Sequence, residues 1–440
     1  MSRPLQESLW GCLTVLDKTK TVGVLGLGYV GLPLARAFVD SGFKVIGLDT
    51  DAEKVALLEC GRSYIAHIPN EVISQMLASG FTVTTDFAWV SECDALLICV
   101  PTPLTINREP DMTFVQQSCE DIVPFLRPGQ LIVLESTTYP GTTDEVMRPI
   151  LESGGLVANR DFWLAYSPER EDPNNPNFRT RTIPKVVGAD DARALEMASK
   201  LYSAAVDVVV PVAGTRVAEA AKILENTFRA VNIALVNELK IVFTKMGIDV
   251  WDVIDAASTK PFGFMKFVPG PGLGGHCIPI DPFYLAWKAR EYDVVSRFIE
   301  TAGEVNRSMP HWVVERTMQA FSRRGMGLAG SSILVVGLAY KKNVDDARES
   351  TTYKLMELLE AEGVKVSYHD PFIPVVPKSR EFSHFTGRVS VPLEQAGDFD
   401  AVLIATDHDV IDWDDLLKKA KLIVDTRGVY RKAHEKVVKA

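Results

Sequence analysis

A glycine-rich turn near the start of the chain, Gly26-Leu-Gly-Tyr-Val-Gly31, restricts the fold more than any other feature. It follows an apolar run, Thr21–Gly26, with the composition of a strand, and it precedes a segment, Leu32–Ser41, with helical periodicity. A second strand is predicted at Lys44–Asp49. A strand, a glycine turn, a helix and a second strand form a βαβ unit, which predicts a parallel sheet covered by helices.

The spacing of this turn, G-x-G-x-x-G, is typical of dinucleotide binding. Its glycines allow a tight turn and a close approach of the backbone to a pyrophosphate at the helix N-terminus. Asp49 ends the second strand, 18 residues after Gly31, where a carboxylate accepts hydrogen bonds from an adenosine ribose. A carboxylate there repels a 2′-phosphate, so NAD is favoured over NADP. A Rossmann-like domain with an empty or different nucleotide site is the alternative.

The alternation of strands and helices recurs in the first and last thirds of the chain. Further strands are predicted at Ala95–Val100, Leu131–Glu135, Ser332–Gly337, Lys365–His369, Ala401–Ala405 and Lys421–Val424. The predicted fold class is α/β, with two Rossmann-like doubly wound parallel-sheet domains joined by a long-helix central domain. We predict an N-terminal extension over residues 1–20 and domains over residues 21–212, 213–323 and 324–440. The last domain has Gly337-Leu-Ala without the three-glycine pattern, so we expect no second NAD site of this type.

The central helix is predicted over Thr215–Lys245, which contains no proline. Apolar residues recur there in steps of three and four: Val217, Ala221, Leu224, Phe228, Val231, Leu235, Leu239 and Val242. So apolar a helix either packs a subunit interface or is buried within its own chain, and the pattern does not separate the two.

Composition excludes several classes of protein. The chain has 47 Lys and Arg against 57 Asp and Glu, a net charge of −10, which argues against a nucleic-acid partner. No apolar run approaches the roughly 18 residues that span a bilayer, and residues 1–19 do not resemble a signal peptide. The six cysteines show no disulfide framework and the seven histidines no metal-ligand spacing. We therefore expect a cytoplasmic protein without membrane insertion and without a metal.

A second glycine-rich stretch, Gly272-Leu-Gly-Gly-His-Cys-Ile-Pro-Ile-Asp281, places a thiol four residues before a carboxylate. Cys277 in such a loop is a candidate nucleophile, although a lone cysteine is more often structural. Asp281 before a proline is also a good helix N-cap. Lys222 and Asn226 share one face of the central helix, with Glu219 on the same side. A Lys–Asn pair alone usually forms a solvated surface.

Taken together, the ordered motifs resemble the UDP-glucose/GDP-mannose dehydrogenase family. The resemblance extends from Thr21 to Arg427 and is carried by Gly26–Gly31, Val-Pro-Thr-Pro103, Glu-Ser-Thr-Thr138, Ser-Pro-Glu169, Lys222-x-x-x-Asn226, Gly-Gly-His-Cys277-x-x-x-Asp281 and Asp346-Ala-Arg-Glu-Ser350. Within the family, Thr259–Leu285 is most similar to members that oxidise UDP-N-acetylglucosamine. The resemblance implies NAD-dependent oxidation of the sugar C6 hydroxyl to a carboxylate, with two NADH formed, in the making of nucleotide-linked uronic acids for polysaccharides.

The resemblance also implies roles for individual residues. Those expected to carry the chemistry are Cys277, Lys222, Asn226, Asp281, Thr137 and Glu169. Those expected to bind NAD are Gly26, Gly28, Tyr29, Val30, Gly31, Asp49, Thr102, Thr137 and Arg348. Those expected to bind the UDP-sugar are Glu169, Lys222, Asn226, Gly274, Tyr340, Lys341 and Arg427. A homodimer or higher oligomer built on Thr215–Lys245 is expected as well.

Three positions depart from the pattern of UDP-glucose dehydrogenases. Pro173 stands where a second glutamate is usual, although Glu171 or Asp172 is a possible substitute. Ile280 stands where a lysine is common, and only Lys260 lies near the position of an arginine offered by a neighbouring subunit. These departures argue against UDP-glucose, but by themselves they do not establish an N-acetylated sugar. The alternatives are the same chemistry on UDP-ManNAc, UDP-GalNAc or UDP-glucose, or a non-catalytic NAD-binding scaffold.

Overall fold

The structure, a computed structural model, describes residues 19–65, 68–105, 107–170, 181–275, 278–379 and 381–440. These residues divide into two compact units. The first comprises the chain up to Glu225 together with Trp287–Tyr292, and the second comprises Asn226–Ala286 and Asp293–Ala440. The three-domain boundaries given above stay a prediction.

An eight-stranded sheet lies at the centre of the first unit. Its strands are β1 (Thr21–Leu25), β2 (Lys44–Leu48), β3 (Phe81–Thr84), β4 (Ala95–Ile98), β5 (Leu131–Leu134), β6 (Trp163–Tyr166), β7 (Lys185–Ala189) and β8 (Val209–Ala213). They lie in the order β3-β2-β1-β4-β5-β6-β7-β8. The pairs from β3 to β6 are parallel, as predicted, but β7 pairs antiparallel with β6, so β7 and β8 run the other way. An antiparallel edge on a mostly parallel sheet is common in large α/β folds.

Helices cover this sheet, which explains why its central strands are apolar. They are α1 (Gly31–Asp40), α2 (Ala52–Glu59), α3 (Asn70–Ala78), α4 (Thr113–Ile122), α5 (Arg148–Glu152) and α6 (Ala192–Ala205). Every residue of β4, β5 and β6 is buried. A strand covered on both faces reads as a continuous apolar run, and this is why β4 and β5 were recognisable from sequence.

The predicted central helix is α7 (Thr215–Met246). Five apolar side chains that recur along it are 42–67% exposed: Val217, Leu224, Phe228, Leu235 and Val242. Their spacing of seven and four residues places them along one stripe of the helix. Within the described chain this stripe is therefore not the buried face of the helix.

A five-stranded parallel sheet lies in the second unit. Its strands are β9 (Ser332–Val336), β10 (Lys365–His369), β11 (Ala401–Ile404), β12 (Ile423–Asp425) and β13 (Val437–Lys439), in the order β10-β9-β11-β12-β13. The helices that follow α7 are α8 (Val250–Ser258), α9 (Asp281–Arg290), α10 (Arg297–Ser322), α11 (Thr351–Ala361) and α12 (Trp413–Lys419). The predicted α/β class with two parallel sheets and a helical central region is confirmed.

Each sheet has a point at which the strand order reverses. In the first sheet β1 lies between β2 and β4, and in the second β9 lies between β10 and β11. Ligands of doubly wound sheets bind beyond the carboxyl ends of the strands at such points. The turns after β1, β2, β4 and β5 and those after β9, β11 and β12 hold most of the candidate residues.

Candidate active site

The turn between β1 and α1 contains three glycines with different steric roles. Gly26 has a φ of +87°, and a Cβ there would lie 2.7 Å from the Cys99 carbonyl oxygen. A Cβ at Gly31 would lie 1.8 Å from the Gly26 carbonyl oxygen, so this position also requires glycine. A Cβ at Gly28 would meet no atom of the described chain within 4 Å. This open side leaves room for a pyrophosphate against the backbone, as NAD requires.

The amino end of α1 also suits an anion. Val30 occupies the cap position, and its apolar side chain makes no capping hydrogen bond to the helix. The N–H groups of an uncapped first turn, together with the helix dipole, favour a negatively charged ligand. Tyr29 and Val30 are half-buried against the core of the unit. The predicted residues of this turn therefore fit a dinucleotide phosphate.

Asp49 is held in place at the carboxyl end of β2. It is 8% exposed, and its Oδ2 accepts a hydrogen bond of 2.8 Å from the Leu27 amide. Its Oδ1 accepts a hydrogen bond of 3.0 Å from the Asp51 amide. Tyr64, which the sequence did not indicate, donates its hydroxyl to the Leu27 carbonyl. Burial, helped by the charge of Asp49, raises the pKa of Tyr64, so its phenol stays neutral.

The turns after β4 and β5 are joined by side-chain hydrogen bonds. Thr102 Oγ1 donates to the Thr137 carbonyl at 2.7 Å. Ser136 Oγ donates to the Val100 carbonyl, also at 2.7 Å. Two residues that were predicted separately, Thr102 and Thr137, are thus neighbours beside the point where the strand order reverses. The sequence had no means of showing that contact, because 35 residues separate them.

A buried network of charges lies behind Glu169. Lys185 Nζ donates to Glu135 Oε2 at 2.6 Å and to Glu169 Oε2 at 3.3 Å. Tyr202 donates its hydroxyl to the other oxygen of Glu135. Burial alone would lower the pKa of Lys185, but the two carboxylates outweigh it and raise the pKa. Lys185 therefore stays charged, and its position fixes the Glu169 carboxylate.

Glu219 connects α7 to the turn that follows Thr137. Its Oε2 accepts a hydrogen bond of 2.6 Å from the Gly141 amide, and its Oε1 accepts one of 2.9 Å from the Thr143 amide. Gly141 has a φ of +107°, so it does form a turn. Lys222, one helical turn after Glu219, is 9% exposed. Its side chain is therefore buried rather than part of a solvated surface.

Asn226 and Asp281 form a close pair in the second unit. Asn226 Nδ2 donates to Asp281 Oδ2 at 2.5 Å, and Asp281 is 3% exposed. Asp281 is also the first residue of α9, one position after the N-cap position expected from the sequence. Starting α9 and pairing with Asn226 are compatible, because only one carboxylate oxygen of Asp281 accepts the Asn226 hydrogen bond.

The glycine-rich loop is described as far as Gly275. A Cβ at Gly274 would lie 2.9 Å from the Glu349 carbonyl oxygen, and one at Gly275 would lie 3.0 Å from the Tyr340 ring. The loop thus packs against the turn after β9, where a larger residue would separate the two. Cys277, the predicted nucleophile, lies outside the described residues, as do Glu171, Asp172 and Pro173.

The remaining predicted residues lie at the edge of the second sheet. Tyr340 and Lys341 are half-buried after β9. Arg427 Nε donates to the Ala405 carbonyl at 2.6 Å, and a Cβ at Gly270 would lie 2.6 Å from Arg427 Nη1. Arg427 therefore lies beside the start of the glycine loop. Burial lowers the pKa of its guanidinium, which Asp407 and Asp425 partly offset.

Arg348 forms a bidentate pair with a neighbouring carboxylate. Its Nε lies 3.0 Å from Asp346 Oδ1 and its Nη2 lies 2.7 Å from Asp346 Oδ2. The structure shows this pairing, and a contact of Arg348 with NAD stays a prediction.

Three models of one protein family match the chain in sequence. The NAD binding domain of the UDP-glucose/GDP-mannose dehydrogenase family matches residues 20–206, its central domain residues 216–308 and its UDP binding domain residues 334–432. This chain belongs to that family. The predicted membership is confirmed, and so is NAD as the cofactor.

Individual relatives of this dehydrogenase are similar over nearly their whole length. A UDP-N-acetyl-D-glucosamine 6-dehydrogenase of Pseudomonas aeruginosa is 35% identical over 89% of this chain and 91% of its own. A UDP-N-acetyl-D-mannosamine dehydrogenase of Methanococcus maripaludis is 31% identical, covering 93% of each. Among solved structures, the UDP-D-ManNAc dehydrogenase of Pyrococcus horikoshii is 30% identical with a TM-score of 0.85, covering 95% of this chain and 98% of the other.

The family settles the broad activity: the protein is an NAD-dependent UDP-sugar dehydrogenase. This confirms the enzyme over the non-catalytic scaffold. No three His, Cys, Asp or Glu side chains converge on a metal position within the described ranges. Among the described helices, none combines the length and the hydrophobicity needed to cross a bilayer.

Proposed function

We propose that this dehydrogenase oxidises the C6 hydroxyl of UDP-N-acetylglucosamine to the uronic acid, forming two NADH per sugar, with Cys277 as the nucleophile. The observation that carries the proposal is the part-buried Asn226–Asp281 pair, because Asp281 lies four residues after Cys277 in sequence. Buried polar pairs of this kind position reacting groups and water. The sugar assignment draws on Thr259–Leu285 and on the relatives named for UDP-N-acetyl-D-glucosamine.

The proposed reaction balances over two oxidations. The C6 alcohol loses a proton and a hydride, and the hydride passes to NAD, which leaves an aldehyde. The Cys277 thiolate adds to that carbonyl carbon and forms a thiohemiacetal. This adduct loses a second proton and hydride, the latter to a second NAD, and becomes a thioester. Water then cleaves the carbon–sulfur bond, releasing the carboxylate and regenerating the thiol.

The polar residues have distinct roles in this proposal. Lys222 stabilises the negative charge that develops on the reacting oxygen, and Asn226 donates a second hydrogen bond. Asp281 orients the hydrolytic water or accepts its proton. Thr137 and Glu169 help to hold that water, with Lys185 keeping Glu169 in place.

The remaining assignments concern binding. NAD is held by Gly26, Gly28, Tyr29, Val30, Gly31, Asp49, Thr102, Thr137 and Arg348. The UDP-sugar is held by Gly274, Tyr340, Lys341 and Arg427 together with Glu169, Lys222 and Asn226. Lys and Arg at these positions explain how a chain of net charge −10 binds a diphosphate.

A homodimer through α7 is part of the proposal. The support is the stripe of exposed apolar side chains at Val217, Leu224, Phe228, Leu235 and Val242. Contiguous apolar surface of this kind is typical of subunit interfaces. Sedimentation velocity should give at least a dimer, and a monomer at all concentrations would contradict this part. A cytoplasmic location and a role in polysaccharide precursor synthesis also belong to the proposal.

A panel of UDP-sugars tests the substrate. The purified protein is given UDP-GlcNAc, UDP-ManNAc, UDP-GalNAc or UDP-glucose with NAD or NADP, and NADH is counted per sugar consumed. We expect two NADH per UDP-GlcNAc and a preference for NAD. Turnover of UDP-glucose alone would refute the sugar assignment and leave the chemistry intact.

The variant Cys277→Ser tests the mechanism. Cys60→Ser is the control, because Cys60 is exposed and is the C-cap residue of α2. Cys277→Ser should lose complete oxidation while still binding NAD, and Cys60→Ser should behave as the parent. Full oxidation by Cys277→Ser at the parent rate would rule out the covalent intermediate.

A further inference from the structure

A cavity of about 310 Å³ lies in the second unit, and it shares no residue with the site proposed above. Its walls are the turn from α7 to α8, the carboxyl-terminal half of α10 and strand β13. The lining residues that matter here are Gly247, Asp249, Trp251, Arg316, Arg323 and Lys439. This volume is at the small end of the range for ligand pockets, so it suits a small molecule rather than a nucleotide sugar.

The charges around this cavity are unbalanced. Three cations line it against one carboxylate, that of Asp249. Asp249 is already occupied, because its Oδ2 pairs with Lys439 Nζ and its Oδ1 accepts the Trp251 amide at 2.9 Å. The Asp249–Lys439 pair is neutral overall, so the positive charges of Arg316 and Arg323 are not balanced by the residues that line the cavity.

Arg316 is bonded only to neutral oxygens in the contacts that the structure describes. Its Nη1 donates to Gln319 Oε1 at 2.9 Å and its Nη2 to the Lys439 carbonyl at 3.3 Å. Burial lowers the pKa of Arg316, the positive charge of Arg323 lowers it further, and Glu315 offsets part of this. Two guanidinium groups that repel each other at a cavity wall would be stabilised by an anion.

An unsatisfied donor of Arg316 adds to this preference. The amino end of α8 does not contribute, because the Asp249 carboxylate caps it by accepting the Trp251 amide. Trp251 is 3% exposed, and its Nε1 has no hydrogen-bond partner within the described chain. The same is true of Arg316 Nε. Buried donors of this kind are normally satisfied, so Arg316 Nε at the cavity wall indicates a missing acceptor. The Trp251 ring packs on Gly428, where an added Cβ would lie 2.6 Å from Nε1.

The cavity is connected to the glycine-rich loop by consecutive residues. Lys439 lines the cavity, and the next residue, Ala440, accepts a hydrogen bond of 2.8 Å from Lys240 Nζ. Lys240 Nζ also donates to the Gly270 carbonyl at 3.1 Å. Gly270 lies two residues before the glycine-rich loop, which packs against Tyr340 through Gly275. A ligand that draws Lys439 away from Asp249 would therefore disturb the anchor of this loop.

We propose that the cavity is an effector site for a small phosphate-type dianion, bound by Arg316 and Arg323, whose occupancy changes the affinity of the enzyme for its UDP-sugar. The claim that an anion binds is argued from the cavity alone. The claim that it changes UDP-sugar affinity rests on the proposed function. By linkage, the UDP-sugar must change the affinity for the anion by the same factor.

Equilibrium dialysis of the full-length protein with labelled inorganic phosphate tests binding. Arg323→Gln is the main variant because its side chain is exposed and its loss should leave the fold intact. Arg324→Gln is the matched control, since Arg324 is the neighbouring exposed arginine and donates to the Glu435 carbonyl away from the cavity. We expect Arg323→Gln to bind phosphate about tenfold or more weakly, as loss of one charged hydrogen bond implies, and Arg324→Gln to bind as the parent does. Equal binding by all three, or none by the parent, would overturn the site.

Steady-state kinetics at constant ionic strength test the coupling. Phosphate also competes with a diphosphate substrate, so the informative quantity is the difference between variants. We expect phosphate to change KM for the UDP-sugar in the parent and Arg324→Gln by a factor that Arg323→Gln does not show. The same response in all three would refute the coupling. If UDP-GlcNAc is not the substrate, the dialysis result still stands, so the two failures are distinguishable.

Discussion

Lys185 Nζ lies 2.6 Å from Glu135 Oε2, and the two side chains are 5% and 0% exposed. The pair joins β7 to the end of β5, 50 residues apart in sequence. The same ammonium reaches Glu169, so one buried cation supports two carboxylates. A buried ion pair of this kind holds together only while both partners are present, because either one alone is a desolvated charge.

Replacing Lys185 should therefore be costly. Lys185→Met leaves Glu135 without its charged partner, and we expect a loss of about 3–5 kcal/mol in the free energy of unfolding. The control is Lys200→Met, which removes the exposed Lys200–Glu196 pair and should cost less than about 1 kcal/mol. Chemical denaturation of the three proteins measures both. Similar costs for the two variants would show that the buried pair has no special weight.

Substitutions in the glycine-rich turn Gly26–Gly31 should affect folding and NAD binding separately. Gly28→Ala adds a methyl group where the described chain leaves space, so stability should hold while NAD binds more weakly. Gly31→Ala adds one at 1.8 Å from the Gly26 carbonyl oxygen, and overpacking should cost about 1–3 kcal/mol. Thermal melting and NAD titration measure the two effects. Unchanged NAD affinity in Gly28→Ala would contradict the proposed phosphate position.

Asp49→Asn should reduce the preference for NAD. The carboxylate repels a 2′-phosphate, and its removal should bring the Kd values for NAD and NADP closer together. Asp51→Asn is the control, because Asp51 caps α2 two residues later and accepts from the amides of Glu53 and Lys54. It should alter stability without changing the ratio of the two Kd values. A ratio that moves equally in both variants would argue against a specific role for Asp49.

Asn226→Ala should slow the reaction rather than weaken NAD binding. The variant removes the hydrogen bond that Asn226 is proposed to donate to the reacting oxygen, and one such donor is worth about a hundredfold in kcat. It also removes the 2.5 Å hydrogen bond to Asp281 Oδ2. Asn232→Ala is the control, since Asn232 on the same helix donates to the Phe228 carbonyl and is exposed there. Comparison of kcat and of Kd for NAD tests this. A lower kcat together with a higher Kd for NAD would indicate a structural role for Asn226 instead.

Lys240 should make stability depend on pH. Burial lowers the pKa of Lys240 to about 7, with Arg427 and Arg316 adding to the effect and Asp425 opposing it. The unfolded value is about 10.4, so between about pH 7 and pH 10 the unfolded chain binds more protons than the folded one. Stability attributable to Lys240 therefore rises with pH across this window, by at most about 1.4 kcal/mol per unit.

The measurement is the free energy of unfolding at several pH values. Lys240→Met should lose the rise relative to the parent, and Lys245→Met, at the exposed end of α7, should keep it. Parallel curves for the parent and Lys240→Met would mean that Lys240 does not titrate in this range.

Much of the fold was visible in local sequence. Strands such as Leu131–Leu134 are short apolar runs, and α7 is a long stretch with helical periodicity and no proline. Both signals depend only on residues close in the chain. The reversed direction of β7 was not visible, because strand direction depends on the path of the connection and not on the strand residues. The predictions for Gly26, Gly28 and Gly31 rested on spacing alone, and the structure showed that only Gly28 faces open space.

The sequence by itself determined the βαβ order, the dinucleotide turn and the family, since these are set by neighbouring residues and by ordered motifs. Tertiary structure alone decided which distant groups meet: Lys185 with Glu135, Asn226 with Asp281, and Lys240 with Gly270. It also decided which of the apolar residues of α7 remain exposed. The physical reason is the distance along the sequence over which each effect acts. Propensity and periodicity act over a few residues, whereas burial and the pairing of charges depend on segments that only the folded chain brings together.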